Sequence, residues 1–380
     1  VDLTIQPVRT ARDRREFFRF PWTVYAGDPL WVPPLLADLE KQFDPSRNPF
    51  FEHAEVESFL ARAEGRPVGR ICAITNNAHV DFHREPVGFF GFFEVWDGEG
   101  SPRPDGLETT RALLEAAGKW VRERGLSVLR GPMNFSTNDT CGVLVRGFDD
   151  PPAVMMTYNP PHYDQLLRGA GLEKAKDLVA YYLHRRDIEA EKLQKAAALI
   201  ERKQGFTVRS LNKKRFREEL ELIKEIYNAA WEENWGFVPM TPAEIDHMAG
   251  ELKPFLDENL VVFVEKDGEA FGFAWGLADW NRAVRHANGR LFPFGLLKIL
   301  WHARRIRKIR ILTLGLKKEF RGQGADNLLY LRLYLNGVRK GYEEGEFSWI
   351  LEDNQAIRKP LEKLGARVYK TYRIYETSLP

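Results

Sequence analysis

The chemistry most legible in the chain sits in the string Arg321-Gly322-Gln323-Gly324-Ala325-Asp326. Ahead of it, Ile309, Ile311, Leu312, Leu314 and Leu316 form an apolar run that reads as a buried strand. Behind it, Leu328, Leu331, Leu335 and Val338 fall on one helical stripe, thickened by Leu329 and Leu333 and ended by Gly341. A strand that feeds a glycine turn into a helix start aims several backbone N–H groups at one point. The positive end of the helix dipole adds to them, so the place suits a phosphate or pyrophosphate. Arg321 adds a fixed positive charge, and Asp326 is a residue type that caps helices. Elsewhere, Asn134 to Asp139 gather short polar groups in a loop that either binds substrate or is a hydrogen-bonded turn. His162 and His286 lack a partner carboxylate in sequence and take surface or structural roles. Cys72 and Cys141 show no zinc-ligand spacing, so no metal is expected.

The elements that must position the glycine turn belong to a chain of 380 residues, long for one domain and comfortable for two. Hydrophobic residues make up 44% and charged residues 29%, which supplies a core and a solvated surface. A formal net charge of +2 gives no bulk electrostatic case for nucleic acid. The first residues carry no apolar signal core, and no window reaches about 18 uncharged apolar residues. The expectation is a cytoplasmic protein with reduced cysteines.

Read in order, the first half gives strands at 3–8, 56–63, 67–74 and 87–96, with a helix at 12–25. Residues 29–49, rich in Pro and aromatics, read as a packed loop. A loop at 98–106, a helix at 107–124, a strand at 126–130, a short helix at 161–169 and a strand at 178–183 follow. The second half repeats this order from Phe206 onward, with the glycine turn between its central strand and the next helix. That is a duplication of architecture, α/β to α+β in class, in which each half buries one sheet between helices. The boundaries are 1–184, a charged helical linker at 185–205 with Leu193, Ala197 and Ile200 on one side, and 206–380.

Arg321 to Asp326 resemble the acyl-CoA pyrophosphate loop of the GNAT superfamily of N-acyltransferases, whose pattern is Gln or Arg, two residues, Gly, one residue, then Gly or Ala. Arg321 and Gly324 match; Asp326 stands at the last position. Trp349 to Asn354 and Leu361-Glu362-Lys363-Leu364-Gly365-Ala366 resemble the closing strand, Asn and helix of that family. Leu166 to Leu172 echo the same ending in the first half. There Arg103-Pro104-Asp105-Gly106 has the wrong shape for a phosphate cradle. The resemblance implies two tandem GNAT-like domains, each a mixed, mostly antiparallel sheet flanked by helices, with the donor site in the second. It implies acetyl-CoA or another acyl-CoA as donor, or a carrier-protein phosphopantetheine. The backbone of Leu314, Gly315 and Leu316 would pair with the pantetheine arm, and Gly322, Gln323, Gly324 and Ala325 would surround the diphosphate. Asn354 would touch the donor and cap the next helix. Glu352 and Glu94, each ending a strand, are candidates for the base, and equally for helix caps or solvated charges. Tyr330, like Tyr334, would face the thiol or fill the core.

Residues 291–310 read as an inserted helix with Leu296, Ile299, Leu300, Ala303 and Ile306 on one face and Lys298, His302 and Arg305 opposite. Such a segment suits peripheral contact with a membrane, a long acyl chain, or a lid packed on the body. The chain is therefore read as an N-acyltransferase acting on a small-molecule, lipid or aminoacyl amine. The alternative is a non-catalytic GNAT-like protein that binds a ligand or partner.

Overall fold

The computed structural model describes residues 2–97 and 105–380, so most of the loop expected at 98–106 lies outside the described residues. The chain divides into two compact units, one of Val1–Leu178, Val284–Ile299 and Lys370–Pro380, the other of Val179–Ala283 and Leu300–Tyr369.

The first unit opens with β1 (Leu3–Pro7), α1 (Ala11–Arg19), α2 (Pro21–Val24) and α3 (Leu36–Gln42). It continues with β2 (Ala54–Ala63), β3 (Arg66–Asn76), α4 (Asn77–His83), β4 (Val87–Val95), α5 (Gly106–Arg122), β5 (Val128–Gly131), β6 (Met133–Asn134), β7 (Thr140–Cys141), β8 (Val143–Arg146) and α6 (Tyr163–Gly169). Thr10 and Asp13 start α1 with a reciprocal capping box. Strands β1 to β4 pair antiparallel in order, and β4 pairs β5 in parallel. One face of this sheet is covered by α5, whose Leu113, Leu114, Ala117 and Val121 pack with Ile71, Ala73, Phe90 and Leu129. Each such leucine contributes about 1.5–3 kcal/mol by leaving water. The stretch expected as a loop at 29–49 contains α3, and α4 follows β3 directly. Both helices are only seven residues long, too short for an amphipathic period to stand out.

Strand β9 (Glu173–His184) ends in the second unit. There follow α7 (Ala190–Gln204), β10 (Phe206–Ser210), α8 (Phe216–Trp231), α9 (Pro242–Leu252), β11 (Val261–Lys266), β12 (Glu269–Ala278), α10 (Asn281–Val284), α11 (Gly295–Ala303), β13 (Lys308–Leu316), α12 (Ala325–Arg339), β14 (Glu344–Leu351), α13 (Gln355–Lys363) and β15 (Arg367–Ser378). The second unit's sheet runs β9-β14-β13-β12-β11-β10, antiparallel from β13 to β10 and parallel between β13 and β14. Alternate residues of β11 show how it is filled. Val262 and Val264 pack under Leu328, Leu329 and Leu333 of α12, while Val261 and Phe263 face Ile223 and Ile226 of α8. The helix expected across 291–310 is shorter, because β13 already begins at Lys308. Of its expected apolar face, Ile299 and Ile306 are buried, whereas Leu296 and Leu300 are exposed.

Candidate functional site

The candidate site is a fork in the second unit's sheet. The parallel pairing of β13 with β14 stops at Ile311 opposite Phe347. At the same level the β12–β13 register shifts by one residue, leaving Leu312 as the extra residue of a bulge. A bulge bends its strand and sharpens the twist. Beyond it, Thr313 to Leu316 stay paired with β12, and the edge they turn towards β14 is no longer claimed by β14's ladder. Leu314 packs with the α12-side core and Leu316 is buried. Gly315 is held glycine by its neighbour: a Cβ there would lie 2.3 Å from the Trp231 ring.

From Leu316 the chain passes through a short 3-10 turn, Lys318–Phe320, whose Phe320 ring stacks on Phe271 at 3.9 Å. Gly322 and Gly324 then adopt φ of +74° and +86°, the left-handed region that glycine enters without strain. At Gly324 a side chain is excluded a second time, since a Cβ would come within 2.7 Å of Ile200 on α7. Ala325 begins α12 and is fully buried. Gln323 braces the turn by donating from Nε2 to the Glu319 carbonyl at 2.8 Å. Arg321 bridges the end of β13 and α8, donating from Nε to the Leu316 carbonyl at 3.3 Å and from a terminal nitrogen to the Ala230 carbonyl at 2.7 Å, and lying 3.8 Å from Glu233. The Asp326 carboxyl turns back and accepts from the backbone N–H groups of Asp326 and Asn327, while burial pushes its pKa up. The turn thus has the backbone shape of an anion cradle, and Asp326 already holds two amides of the helix start. A diphosphate would share the remaining positive end of α12 with that carboxylate.

Tyr330 lies one turn further along α12, buried, its ring edge-on to Phe347 at 5.8 Å. Burial raises its pKa, with the Asp326 charge adding to the effect, so the phenol stays protonated. Asn354 caps α13, its Oδ1 accepting from the Ile357 N–H at 3.3 Å. Glu352 is half-buried at the end of β14, and its carbonyl accepts from Arg358, which also donates to the Tyr181 hydroxyl at 2.9 Å. The second unit therefore gathers Leu314 to Leu316, Arg321 to Asp326, Tyr330, Glu352 and Asn354 along β13, α12 and the end of β14.

Reading the sequence missed a buried polar chain at the base of the fork. Lys308 and Glu346 are 3.1 Å apart, and Tyr369 donates to Glu346. Ser348 donates to Glu346 at 2.6 Å and accepts from Arg310 Nε at 2.9 Å; a second Arg310 nitrogen reaches the Ser348 carbonyl. Burial alone would raise the Glu346 pKa, but Lys308, Arg310 and the two hydroxyl donors hold it below the usual carboxylate range. Its signal in the sequence is charge at alternate positions, 308 and 310, inside an apolar strand. Together these bonds fix the first residue of β14 beyond the fork.

In the first unit, β4 and β5 also part, after Phe89 opposite Arg130. That opening is filled by the chain itself. Phe92, at φ +49°, donates its N–H to Asn134 Oδ1 at 2.7 Å. A Cβ on Gly91 would lie 1.7 Å from the Met133 carbonyl oxygen. The polar run at 134–139 is a hydrogen-bonded turn, with Asp139 accepting from the Ser136 N–H and hydroxyl. Glu94 is buried near the end of β4, where Tyr25 and Tyr163 donate to it at 2.9 and 2.8 Å and Arg70 lies at 3.7 Å. Burial raises its pKa to about 7 against the opposing pull of Arg70 and the two hydroxyls. Among the described residues no group of three or more His, Cys, Asp or Glu could hold a metal.

The fold is that of tandem GNAT proteins. A tandem GNAT protein from the clavulanic acid biosynthesis pathway superposes with a TM-score of 0.57 at 12% identity, covering 100% of this chain and 99% of that one. A GCN5-related N-acetyltransferase from Sphaerobacter thermophilus gives 0.53 at 13% identity, covering 99% and 96%. No family model matches the chain. Full-length relatives are closer in sequence. A bacterial ceramide synthase of Caulobacter vibrioides is 36% identical over 100% of this chain and 98% of its own length. Protein YghO of Escherichia coli is 33% identical over 97% and 93%. The chain belongs to the family of these two relatives, and its fold is that of tandem GNAT proteins. It is an acyltransferase.

Proposed function

We propose that the chain moves an acyl group from coenzyme A, or from the phosphopantetheine of a carrier protein, to the amino group of a long-chain amine. The observation that carries the donor half of this reading is the fork beyond Ile311 and Phe347, ended by the turn with left-handed Gly322 and Gly324 at the start of α12. Its backbone edge at Leu314 to Leu316 suits the amides of a pantetheine arm, and the turn suits a diphosphate. The first unit takes no donor in this reading, since Asn134 already satisfies the Phe92 N–H in the equivalent opening.

In the reaction the amine nitrogen attacks the thioester carbon, loses a proton to a base, and the carbon–sulfur bond breaks to leave a thiolate that takes up a proton. Glu352, at the end of β14 beside the fork, is assigned the base. Tyr330, kept protonated by burial, is assigned the acid for the thiolate. Glu94, with its pKa near 7, has the protonation behaviour of a base and is assigned to the first unit's own network of Tyr25, Tyr163 and Arg70.

The acceptor half rests on the relative named a bacterial ceramide synthase, a ceramide being the N-acyl derivative of a long-chain amino alcohol. Peripheral membrane contact through residues 291–310 fits such an acceptor. Six of the nine large exposed apolar side chains among the described residues lie from Phe292 to Trp301, with Phe292, Phe294 and Leu297 77%, 66% and 63% exposed. No Asp or Glu occurs from 291 to 310, and Lys298, Arg304, Arg305 and Arg307 are exposed there, which suits an anionic lipid surface. No helix is long and apolar enough to cross a membrane among the described residues.

The test is incubation of the full chain with hexadecanoyl-CoA and a saturated long-chain amino alcohol, read by mass spectrometry. The amide is expected only when both are present. Acylation of short amines alone, with the long-chain base untouched, would overturn the acceptor assignment.

A further inference from the structure

A largely apolar pocket opens on the α12 side of the second unit's sheet. Its floor is Ile309 and Ile311 of β13, and α12 forms one wall with Leu333, Gly337 and Val338. Ile188 and Leu193 lie opposite. Charge is confined to Arg185, Glu343 and Glu344. Two further lining residues, Tyr330 and Phe347, are the pair that meets at the apex of the fork. The pocket therefore begins where the fork ends. Along β13 the order is turn, then Leu316 to Leu314, then the apex at Ile311, then the pocket floor at Ile309.

Gly337 supplies a second, independent observation. Glycine inside a helix costs about 0.5–1 kcal/mol relative to alanine. It is usually kept there because a neighbour leaves no room for a side chain. Here a Cβ would make only ordinary contacts, 3.7 Å from Ile309 Cδ1 and 4.0 Å from Tyr342 Cβ. No neighbour of this chain requires the glycine, and the space it leaves is the pocket.

We propose that this pocket holds the alkyl chain of the donor thioester, so that α12 serves the donor twice, the diphosphate at its first turn and the acyl chain along its second half. The inference rests on the donor reading given above. The direction is fixed by the strand: with the diphosphate at Gly324 and the pantetheine along Leu316 to Leu314, a thioester at the apex has its acyl carbons continuing towards Ile309. The apolar majority of the lining, Ile188, Leu193, Ile309, Ile311, Leu333 and Val338, fits a saturated chain.

The test measures binding of acetyl-CoA and hexadecanoyl-CoA to the full chain by calorimetry, below the micelle concentration of the latter, for wild type, Gly337→Leu and Val338→Phe. Two positions are used so that a folding defect in one, seen by thermal unfolding, leaves the other informative. Wild type is expected to prefer the long chain at least tenfold, and both variants to bring the ratio of affinities close to one. Binding of acetyl-CoA with no chain-length preference, or a preference that survives both variants, overturns the pocket assignment alone. Binding of neither thioester removes coenzyme A as the donor carrier and overturns the pocket assignment with it. A third arm varies the chain length of the amine with acetyl-CoA as donor. A KM for long amines that rises in Gly337→Leu, with the donor ratio unchanged, assigns the pocket to the acceptor and overturns the proposal.

Discussion

The Phe92 N–H donates to the side-chain oxygen of Asn134 at 2.7 Å, and this bond occupies the backbone edge of the first unit's strand opening. The corresponding edge in the second unit, after Ile311, is left by β14's ladder. The two openings thus differ at the place where a thioester would lie. Asn134→Ala is expected to strand the Phe92 amide and destabilise the fold by about 1–3 kcal/mol. It should leave the donor stoichiometry at one per chain. Denaturant unfolding and calorimetric titration check the two halves; a stoichiometry of two would contradict the assignment.

The Asp326 carboxylate sits on amides at the positive end of α12, where a diphosphate needs them. Asp326→Asn removes the charge and keeps the shape. Donor affinity is expected to rise about threefold to tenfold, a gain of roughly 1 kcal/mol for lifting one like charge at a partly screened site. Weaker binding in the variant would mean that the carboxylate supports the donor instead of competing with it.

Gly324 has φ of +86° and Ile200 2.7 Å from the place of a Cβ. Gly324→Ala should therefore displace the turn or α7, with a donor affinity at least tenfold lower and a stability loss of about 1–3 kcal/mol. Titration and thermal unfolding on the same preparation measure both, and an unchanged affinity would remove the turn from the site.

Glu94 carries a pH signature. Burial raises its folded-state pKa to about 7, above the value near 4.5 of an unfolded glutamate. Between those values the folded chain binds the proton and the unfolded chain does not, so this group's contribution to stability is present at pH 4.5 and lost as pH rises through 7. Wild type minus Glu94→Gln, taken from unfolding free energies, should fall across that window. A flat difference would show that Arg70 and the two tyrosines keep Glu94 ionised throughout.

The exposed apolar run predicts vesicle binding. Leu297→Ser with Trp301→Ser replaces two side chains that are more than half exposed, so folding should be unaffected. Co-sedimentation with vesicles rich in phosphatidylglycerol is expected to drop several-fold, and wild type should bind neutral phosphatidylcholine weakly. Equal binding of the variant would place membrane contact elsewhere.

Much of this was written in local pattern. The strand ending at Leu316, the glycine turn and the α12 stripe follow from periodicity and backbone chemistry, as does Asn354 as a helix cap. The α3 and α4 helices were hidden because seven residues give less than two full turns of pattern. What sequence cannot display is which edges of a strand are taken. The plug by Asn134 depends on a contact 42 residues away from Phe92. The same holds for Arg321, whose charge faces the turn on paper but is drawn to the Ala230 carbonyl across 91 residues. The Lys308–Glu346 pair shows only as charge in an apolar strand until β14 is laid beside β13.

Hydrogen–deuterium exchange with and without acyl-CoA tests the central claim most directly. The account predicts new protection at residues 313–316 and 322–327, with residues 89–93 unchanged. Protection at 89–93 and none in the second unit's turn would contradict it.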